Sequence, residues 1–294
     1  MTNKHRLFYL IIIFPLMLLL SACHFQNKTE PARYSKTLYY DFHTRKLVRY
    51  NKTEQSGSFL SKNNNQFQYS VDFKNLFIDG NSLTNNFSLI TLENNKVKKL
   101  ATFPKNESLI PFGKKANKIY VIHSYYEADN NEIESKRRIA VYDMKSKKIS
   151  DFKNTKGLSV AGAISSENVY YTVYHNKTRD FSLFEVDRNN LASVPVLVKS
   201  GLKDDNVLVY QDHVFYAEGK KLVSDNRSFT KKDDNFFYHN SLIQLYINDD
   251  NELSMKITNL KTNRTLVVND FIGARIKGNM MKICLPGKVI NHEL

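Results

Sequence analysis

The pattern of apolar and polar positions changes abruptly near residue 23. Residues 7–20 are apolar or aromatic, interrupted only by Pro15. Beyond residue 23, short apolar or alternating runs are separated by turns rich in Asn and Asp. No long segment there keeps apolar residues at the i, i+3, i+4, i+7 spacing of an amphipathic helix. Short alternating runs bounded by turn residues are typical of β-hairpins, so we predict an all-β domain.

One type of hairpin recurs along the chain, with Asn or Asp immediately before an apolar pair. The five intervals between copies are 42, 51, 44, 28 and 39 residues, a mean near 41. Self-similarity at such a period is the sign of a repeat architecture. The six Asn or Asp positions are Asn75, Asn117, Asn168, Asp212, Asn240 and Asn279.

A second type of hairpin alternates with the first, and each copy has an alternating strand, a polar turn and a basic return strand. Two hairpins per repeat make four strands in about 41 residues, which matches a β-propeller blade. The second-type copies span residues 38–47, 89–97, 139–149, 183–191 and 255–266, with a weaker copy at 222–229.

The two ends of the repeat region complement each other. The region begins with a second-type hairpin (38–47) and ends with a first-type hairpin (274–285). Joined, they would complete one blade and remove the free edges of an open array. We therefore predict a propeller of about six four-stranded blades, with an abbreviated blade near residues 202–230. A β-sandwich, a long twisted meander or a mixed fold are the alternatives.

The repeat resembles the loose propeller-like repeats of many bacterial surface proteins, through runs such as Val-Tyr-Asp-Met-Lys-Ser-Lys-Lys-Ile at 141–149. This resemblance covers roughly residues 37–290 and implies the architecture alone, because it brings no catalytic residues. The chain lacks Trp entirely, and with it the Trp-Asp mark of WD40 repeats.

The N-terminal segment determines the predicted location. Lys4 and Arg6 precede 14 apolar or aromatic residues, too few for a transmembrane helix but typical of a secretory signal peptide. Residues 20–23 read Leu-Ser-Ala-Cys, which resembles the bacterial lipobox. The resemblance implies cleavage before Cys23 and lipidation of its thiol, because that is how lipobox precursors mature. An ordinary signal peptide and an uncleaved anchor are the alternatives.

These observations divide the chain into three parts. Residues 1–22 are the predicted signal peptide, 23–36 the lipidated Cys and tether, and 37–294 a single propeller-like domain. Two acyl chains hold a protein stably on a bilayer. We therefore expect a bacterial protein anchored on the extracytoplasmic face of the cell membrane.

Charge bears on the expected partners. The chain has 43 Lys and Arg against 29 Asp and Glu, a net charge of +14, which becomes +12 without residues 1–22. The basic residues follow return strands and do not gather in one tail. Anionic lipid headgroups, anionic envelope polymers or another envelope protein are the expected partners. Nucleic acid is excluded outside the cell, and we expect a monomer. A solvated strand face is the alternative interpretation of this charge.

The sequence contains no recognisable motif for catalysis, metal binding or cofactor binding. Four histidines at predicted strand ends or turns (His123, His175, His213 and His239) lack metal-binding spacing. The acidic segments 127–132 and 248–252 lack the Gly and Glu spacing of a calcium loop. No phosphate-binding loop or hydrolase elbow occurs. We therefore predict no catalytic, cofactor-binding or metal-binding residues. Cys284, in an apolar run, is predicted to be a buried, inert thiol.

The sequence thus predicts a lipid-anchored binding or scaffold propeller at the cell envelope, without enzymatic activity. Two alternatives stay open. One is an envelope or glycan-processing enzyme, which would need paired carboxylates or a His/Tyr set at the central opening. The other is a peptide-binding immunity or sensor lipoprotein.

Overall fold

A computed structural model describes residues 39–41, 46–50, 61–62, 82–85, 88–93, 96–104, 107–129, 132–155, 157–286 and 288–294. The regular elements of these residues are all β-strands. No helix in this part of the chain has the length and apolar character needed to cross a membrane. The strands are β1 (Tyr39–Asp41), β2 (Lys46–Tyr50), β3 (Ser61–Lys62), β4 (Ser82–Asn85), β5 (Ser88–Glu93), β6 (Lys96–Thr102), β7 (Glu107–Lys115), β8 (Lys118–Asp129), β9 (Glu132–Asp143), β10 (Lys148–Asp151), β11 (Leu158–Ile164), β12 (Asn168–His175), β13 (Asp180–Asp187), β14 (Val196–Leu202), β15 (Val207–Tyr210), β16 (His213–Glu218), β17 (Lys221–Val223), β18 (Ser228–Thr230), β19 (Asp234–Tyr238), β20 (Ser241–Ile247), β21 (Leu253–Asn259), β22 (Thr265–Asn269), β23 (Gly273–Lys277), β24 (Met280–Leu285) and β25 (Lys288–Glu293).

The described strands form six antiparallel sheets. Four have four strands in chain order, namely β7–β10, β11–β14, β15–β18 and β19–β22, and a three-stranded sheet holds β4–β6. The first strands β7, β11, β15 and β19 pack in succession, so each sheet contacts the next through its first strand. The protein is therefore an all-β propeller, as the repeat predicts. The strands of the abbreviated blade, β15–β18, have only three to six residues.

The sixth sheet closes the ring with strands from both ends of the chain. Its order is β25-β24-β23-β1-β2-β3, and Tyr40 of β1 pairs with Ala274 of β23. The predicted joining of the N- and C-terminal strands is confirmed. The edge of β24 that faces away from β23 is covered by β25, with Cys284 opposite Val289. The open edge of β23 is thus the one that pairs with β1.

The core lies between neighbouring sheets. Tyr120 and Val141 pack with Val169 and Tyr171 of the next sheet, and all four are buried. Gly162 of β11 lies so close to β7 that a Cβ atom there would stand 2.8 Å from two ring atoms of Phe112. The absence of a side chain at this position therefore allows the two central strands to approach.

The recurring Asn and Asp positions lie in the turns that join the first and second strands of sheets. Two-residue turns with a positive φ at the first residue occupy 116–117, 211–212, 239–240 and 278–279. The carbonyls of Asn117, Asn240 and Asn279 accept hydrogen bonds from the backbone of a later strand or turn. Asn168 follows a longer turn, and Asn75 lies outside the described residues.

These turns share one end of the propeller, which we call the first-turn end. The Ser166 amide donates to Asp212 Oδ1 (2.6 Å), and the Tyr238 hydroxyl donates to the carbonyl of Gly278 (3.0 Å). Each bond joins the first turns of neighbouring sheets. The turns between second and third strands, such as 176–179 and 248–252, lie at the opposite end.

Acidic and amide side chains also shape the second-type hairpins. Asp143 Oδ1 accepts hydrogen bonds from the backbone amides of Lys145 (2.9 Å) and Ser146 (2.8 Å). Asn259 Oδ1 accepts two equivalent bonds in the turn after β21. Such side-chain turns explain why Asn and Asp recur between the strands of this fold.

Candidate binding groove

A groove of about 640 Å³ opens at the opposite end of the β11–β14 sheet. Its walls come from the start of β11, the β12–β13 turn and the end of β14. Gly157, with φ +86°, turns the chain into β11, and a Cβ there would lie 2.6 Å from Val173 Cγ1. The lining residues are Gly157, Leu158, Tyr174, His175, Asn176, Lys177, Thr178, Asp180, Ser182, Ser200 and Gly201.

The groove combines an aromatic wall with several hydrogen-bonding groups. Tyr174 packs against Phe181, with ring centroids 5.1 Å apart. Thr178 Oγ1 donates to Asp180 Oδ1 (2.6 Å), while Lys177 is exposed. An apolar ring beside hydroxyl, amide, carboxylate and ammonium groups suits a polar ligand that also has an apolar face.

A histidine–serine pair lies in the same groove. His175 Nε2 is 2.9 Å from Ser182 Oγ, because the two residues occupy diagonal positions on β12 and β13. Nucleophilic catalysis by such a pair needs a third group that orients the base. Within the described residues, no carboxylate forms a hydrogen bond with the His175 ring. The observed arrangement therefore supports ligand binding more directly than acyl transfer.

A second polar cluster lies at the opposite end of the neighbouring β7–β10 sheet. His123 Nδ1 is 2.9 Å from Asp151 Oδ1, and its Nε2 is 3.6 Å from Glu107 Oε2. Burial opposes the charged imidazolium, but the hydrogen bond and charge of Asp151, with the charge of Glu107, outweigh it. The pKa of His123 is therefore raised above its ordinary value of 6.5.

The four predicted histidines do not converge. His123 lies inside β8 and His175 ends β12 near the opposite end, whereas His213 begins β16 and His239 lies in a turn at the first-turn end. No group of three or more His, Cys, Asp or Glu residues in the described ranges is arranged to hold a metal ion. Their separation follows from the strand directions, which alternate between the two ends of each sheet.

The other predicted positions are placed as follows. Cys284 is fully buried, as predicted, and burial raises the pKa of its thiol to about 12. Residues 248–252 form the turn after β20, with Asn248 Oδ1 accepting the amides of Asp250 and Glu252. Cys23 lies outside the described residues.

The sequence reasoning missed most of the groove. Tyr174, Asp180 and Ser182 belong to strands that read as ordinary alternating runs. They come together because Val173 pairs with Ser182, and Tyr174 with Phe181, across the β12–β13 hairpin. Only a prediction of the strand register of this hairpin could have brought these groove residues together from the sequence.

The comparisons with known proteins show fold similarity at low identity. No protein-family model matches the chain, and no curated protein matches its sequence. TolB from Acinetobacter baumannii is 11% identical over 72% of this chain and 59% of its own length, with a TM-score of 0.45. A puromycin-hydrolyzing peptidase from Mycobacterium tuberculosis is 11% identical over 89% of this chain and 52% of its own, with a TM-score of 0.46. Saccharomyces cerevisiae Sqt1 is 9% identical over 89% of this chain and all of its own, at 0.41.

These similarities carry no functional argument, because the identities and TM-scores are low. This chain spans 59% and 52% of the TolB and peptidase chains that it matches. The order of the sheets and the pairing of strands from the two ends of the chain are the features of a β-propeller. By these features the chain is a β-propeller, with six sheets among the described residues.

Proposed function

We propose that this protein is a lipid-anchored propeller that binds a ligand on the extracytoplasmic face of the cell membrane. The anchor is supported by the Leu-Ser-Ala-Cys segment ending at Cys23, which follows the apolar run. The binding role is supported by the groove at the end of the β11–β14 sheet. A lipid on Cys23 would hold the propeller within a short tether of the bilayer, at most about 45 Å for 13 extended residues.

The groove is the single observation that carries the binding role. It is lined by residues of several chemical types from four strands, and one wall is a tyrosine ring. Pockets of this size and composition typically hold a small polar ligand or a segment of a larger one. The proposed ligand class is therefore a glycan or peptide of the cell envelope.

Replacing Cys23 tests the anchor. We expect Cys23→Ala to leave the precursor uncut or to release the protein, because the thiol is the acceptor of the lipid. Metabolic labelling with a fatty acid, followed by membrane fractionation, measures both effects. Cys284→Ala is the matched control, since that thiol is buried, and labelling should persist. Unchanged labelling and anchoring of Cys23→Ala would refute the proposed anchor.

A photo-reactive amino acid at Lys177 tests the groove in intact cells. Lys177 lies in the exposed turn beside the groove, so a bound ligand should form a discrete adduct. The same amino acid at Asp250, in an exposed turn of another sheet at the same end, is the control. We expect an adduct from position 177 that position 250 does not give. Identical products from both positions, or none, would count against the groove as a binding site.

A further inference from the structure

Five lysines collect at the first-turn end of the β7–β10 sheet. Lys115 pairs with Lys118, Lys118 with Asp143, and Asp143 with Lys148, so these residues form one row across all four strands. Lys145 and Lys147 extend the row into the turn that follows Asp143. All five lysines are exposed. We call Lys115, Lys118, Lys145, Lys147 and Lys148 the lysine end.

This arrangement is unfavourable for the fold by itself. Lys115 and Lys118 are directly opposite each other across a two-residue turn, and like charges in that position repel. The single acidic residue in the row, Asp143, directs Oδ1 to the backbone amides of Lys145 and Ser146. Asp212, in the first turn of the β15–β18 sheet, is close enough to Lys115 for the two charges to interact. The five ammonium groups of the lysine end still exceed these two carboxylates.

Two lysines at the opposite end of the propeller have acidic partners. Lys199 Nζ is 2.8 Å from Glu218 Oε1, and Lys231 forms an ion pair with Asp204. By contrast, none of the five lysines of the lysine end forms an ion pair with a described carboxylate. The ammonium groups of the lysine end are thus available to an anionic partner.

The direction of β1 relates the first described strand to the same end. β23 runs towards the turn at 278–279, which belongs to the first-turn end. β1 pairs antiparallel with β23, with Tyr40 opposite Ala274 and Asp41 opposite Gly273, so it runs away from that end. β1 therefore begins on the side nearer the end that carries the five lysines and runs away from it.

We propose that the lysine end faces the membrane and binds anionic lipid headgroups, which orients the propeller with its groove away from the bilayer. This inference rests on the proposed lipid anchor at Cys23, because the tether brings this end to the bilayer. Basic residues near an anionic surface each strengthen binding, and the attraction is confined to about a Debye length. Lipid headgroups lie within a Debye length of the five lysines only when the lysine end faces the bilayer.

Vesicle binding tests the headgroup contacts without the lipid. The probe is the chain from residue 23 onward with Cys23→Ser, mixed with vesicles of phosphatidylglycerol and phosphatidylcholine or of phosphatidylcholine alone. We expect binding to the anionic vesicles, lost in high salt. Replacing the five lysines by Gln should reduce partitioning at least ~10-fold, given the contribution of each lysine near an anionic surface. Circular dichroism and the melting temperature confirm that each variant is folded.

The matched control changes the same charge elsewhere. The control replaces five other lysines by Gln, all of them exposed near the opposite end, and should leave vesicle binding within ~3-fold of the parent. They are Lys153, Lys203, Lys220, Lys221 and Lys288. Equal losses in both variants would show attraction by net charge alone and overturn the proposed surface. Binding to a soluble polyglycerol phosphate with no binding to vesicles would also overturn it, in favour of a wall polymer.

The outcomes separate this inference from the proposed anchor. The vesicle assay contains no lipidated protein, so it reports on the lysines alone. Fatty-acid labelling of Cys23 reports on the anchor alone. Labelling without vesicle binding would support the anchor and reject the lysine end as a binding surface. Vesicle binding without labelling would support the lysine end and reject the anchor.

Discussion

At the scale of single residues, His123 has the most distinctive surroundings among the described histidines. Its ring lies between Asp151 on one nitrogen and Glu107 on the other, and it packs 4.8 Å from the Tyr125 ring. Arg138 is its Cα partner on β9. Asp151 bonds one ring nitrogen, while Glu107 lies 3.6 Å from the other, which has no hydrogen-bond partner among the described residues. The two negative charges favour the protonated, charged histidine.

The pKa of His123 predicts a pH-dependent stability. Because the pKa is raised in the folded protein, the stabilisation is complete below the ordinary value of 6.5 and is lost as pH rises through the folded pKa. We expect the free energy of unfolding, measured by urea denaturation, to decrease as the pH rises above 6.5. His123→Gln should flatten this dependence and cost about 1 kcal/mol at the acidic side.

The same substitution at another histidine provides the control for this prediction. The His175 ring bonds to a serine hydroxyl, so His175→Gln should keep the pH dependence of the parent. Burial lowers the pKa of His292, so this residue contributes to the pH dependence of the free energy of unfolding with the opposite sign. Its contribution is the same in both variants. A dependence that survives His123→Gln would contradict the assignment.

At the scale of elements, contact between central strands sets how closely neighbouring sheets pack. β7 and β11 meet where Gly162 faces the ring of Phe112. The same pair of sheets buries Tyr120 and Tyr171 in one cluster. A small residue opposite a large one is how close-packed interiors fill space without voids. The candidate groove and the His123 cluster lie at the ends of these two sheets, so their relative position depends on this packing.

Adding a methyl group at Gly162 tests this contact. A Cβ would lie 2.8 Å from Cγ and Cδ2 of Phe112, well inside normal contact distance. We expect Gly162→Ala to lower the free energy of unfolding by about 1–3 kcal/mol, as over-packing commonly does. Thermal or urea denaturation measures the loss.

A double-mutant cycle identifies the cause of that loss. Phe112→Leu removes the ring that the new methyl group would meet, so Gly162→Ala should cost less in the Phe112→Leu background. Equal costs in both backgrounds would show that the ring of Phe112 is not the obstacle.

At the scale of the whole molecule, ring closure joins distant parts of the chain. β1 lies on β23, more than 230 residues later in the sequence, and β25 covers the other side of β24. Leu294, the last residue, is buried and its amide donates to the carbonyl of Asn279 (2.7 Å). Closure thus covers both edges of β23 and both edges of β24, so that neither strand can pair with another chain. The proposed membrane orientation depends on this closure, because the pairing with β23 directs β1 away from the end that carries the lysines.

The sequence by itself determined the class of fold and most of its turns. Alternation of apolar residues predicts strands, and Asn or Asp at a mean spacing near 41 predicts the hairpins, because both are local properties of the backbone. The sequence also predicts the burial of Cys284, because this residue lies in an apolar run, which is again a local pattern. The anchor at Cys23 stays a prediction from the lipobox segment.

Only the tertiary structure decided where side chains meet. The pairing of β1 with β23, the partners of His123 and the groove beside Tyr174 depend on register and on distant strands. The lysine end is the clearest case, because Lys115, Lys118 and Lys148 are dispersed in the sequence and adjacent across one sheet. Local patterns specify which residues form a strand, whereas the contacts between strands are long-range and arise only when the sheets assemble.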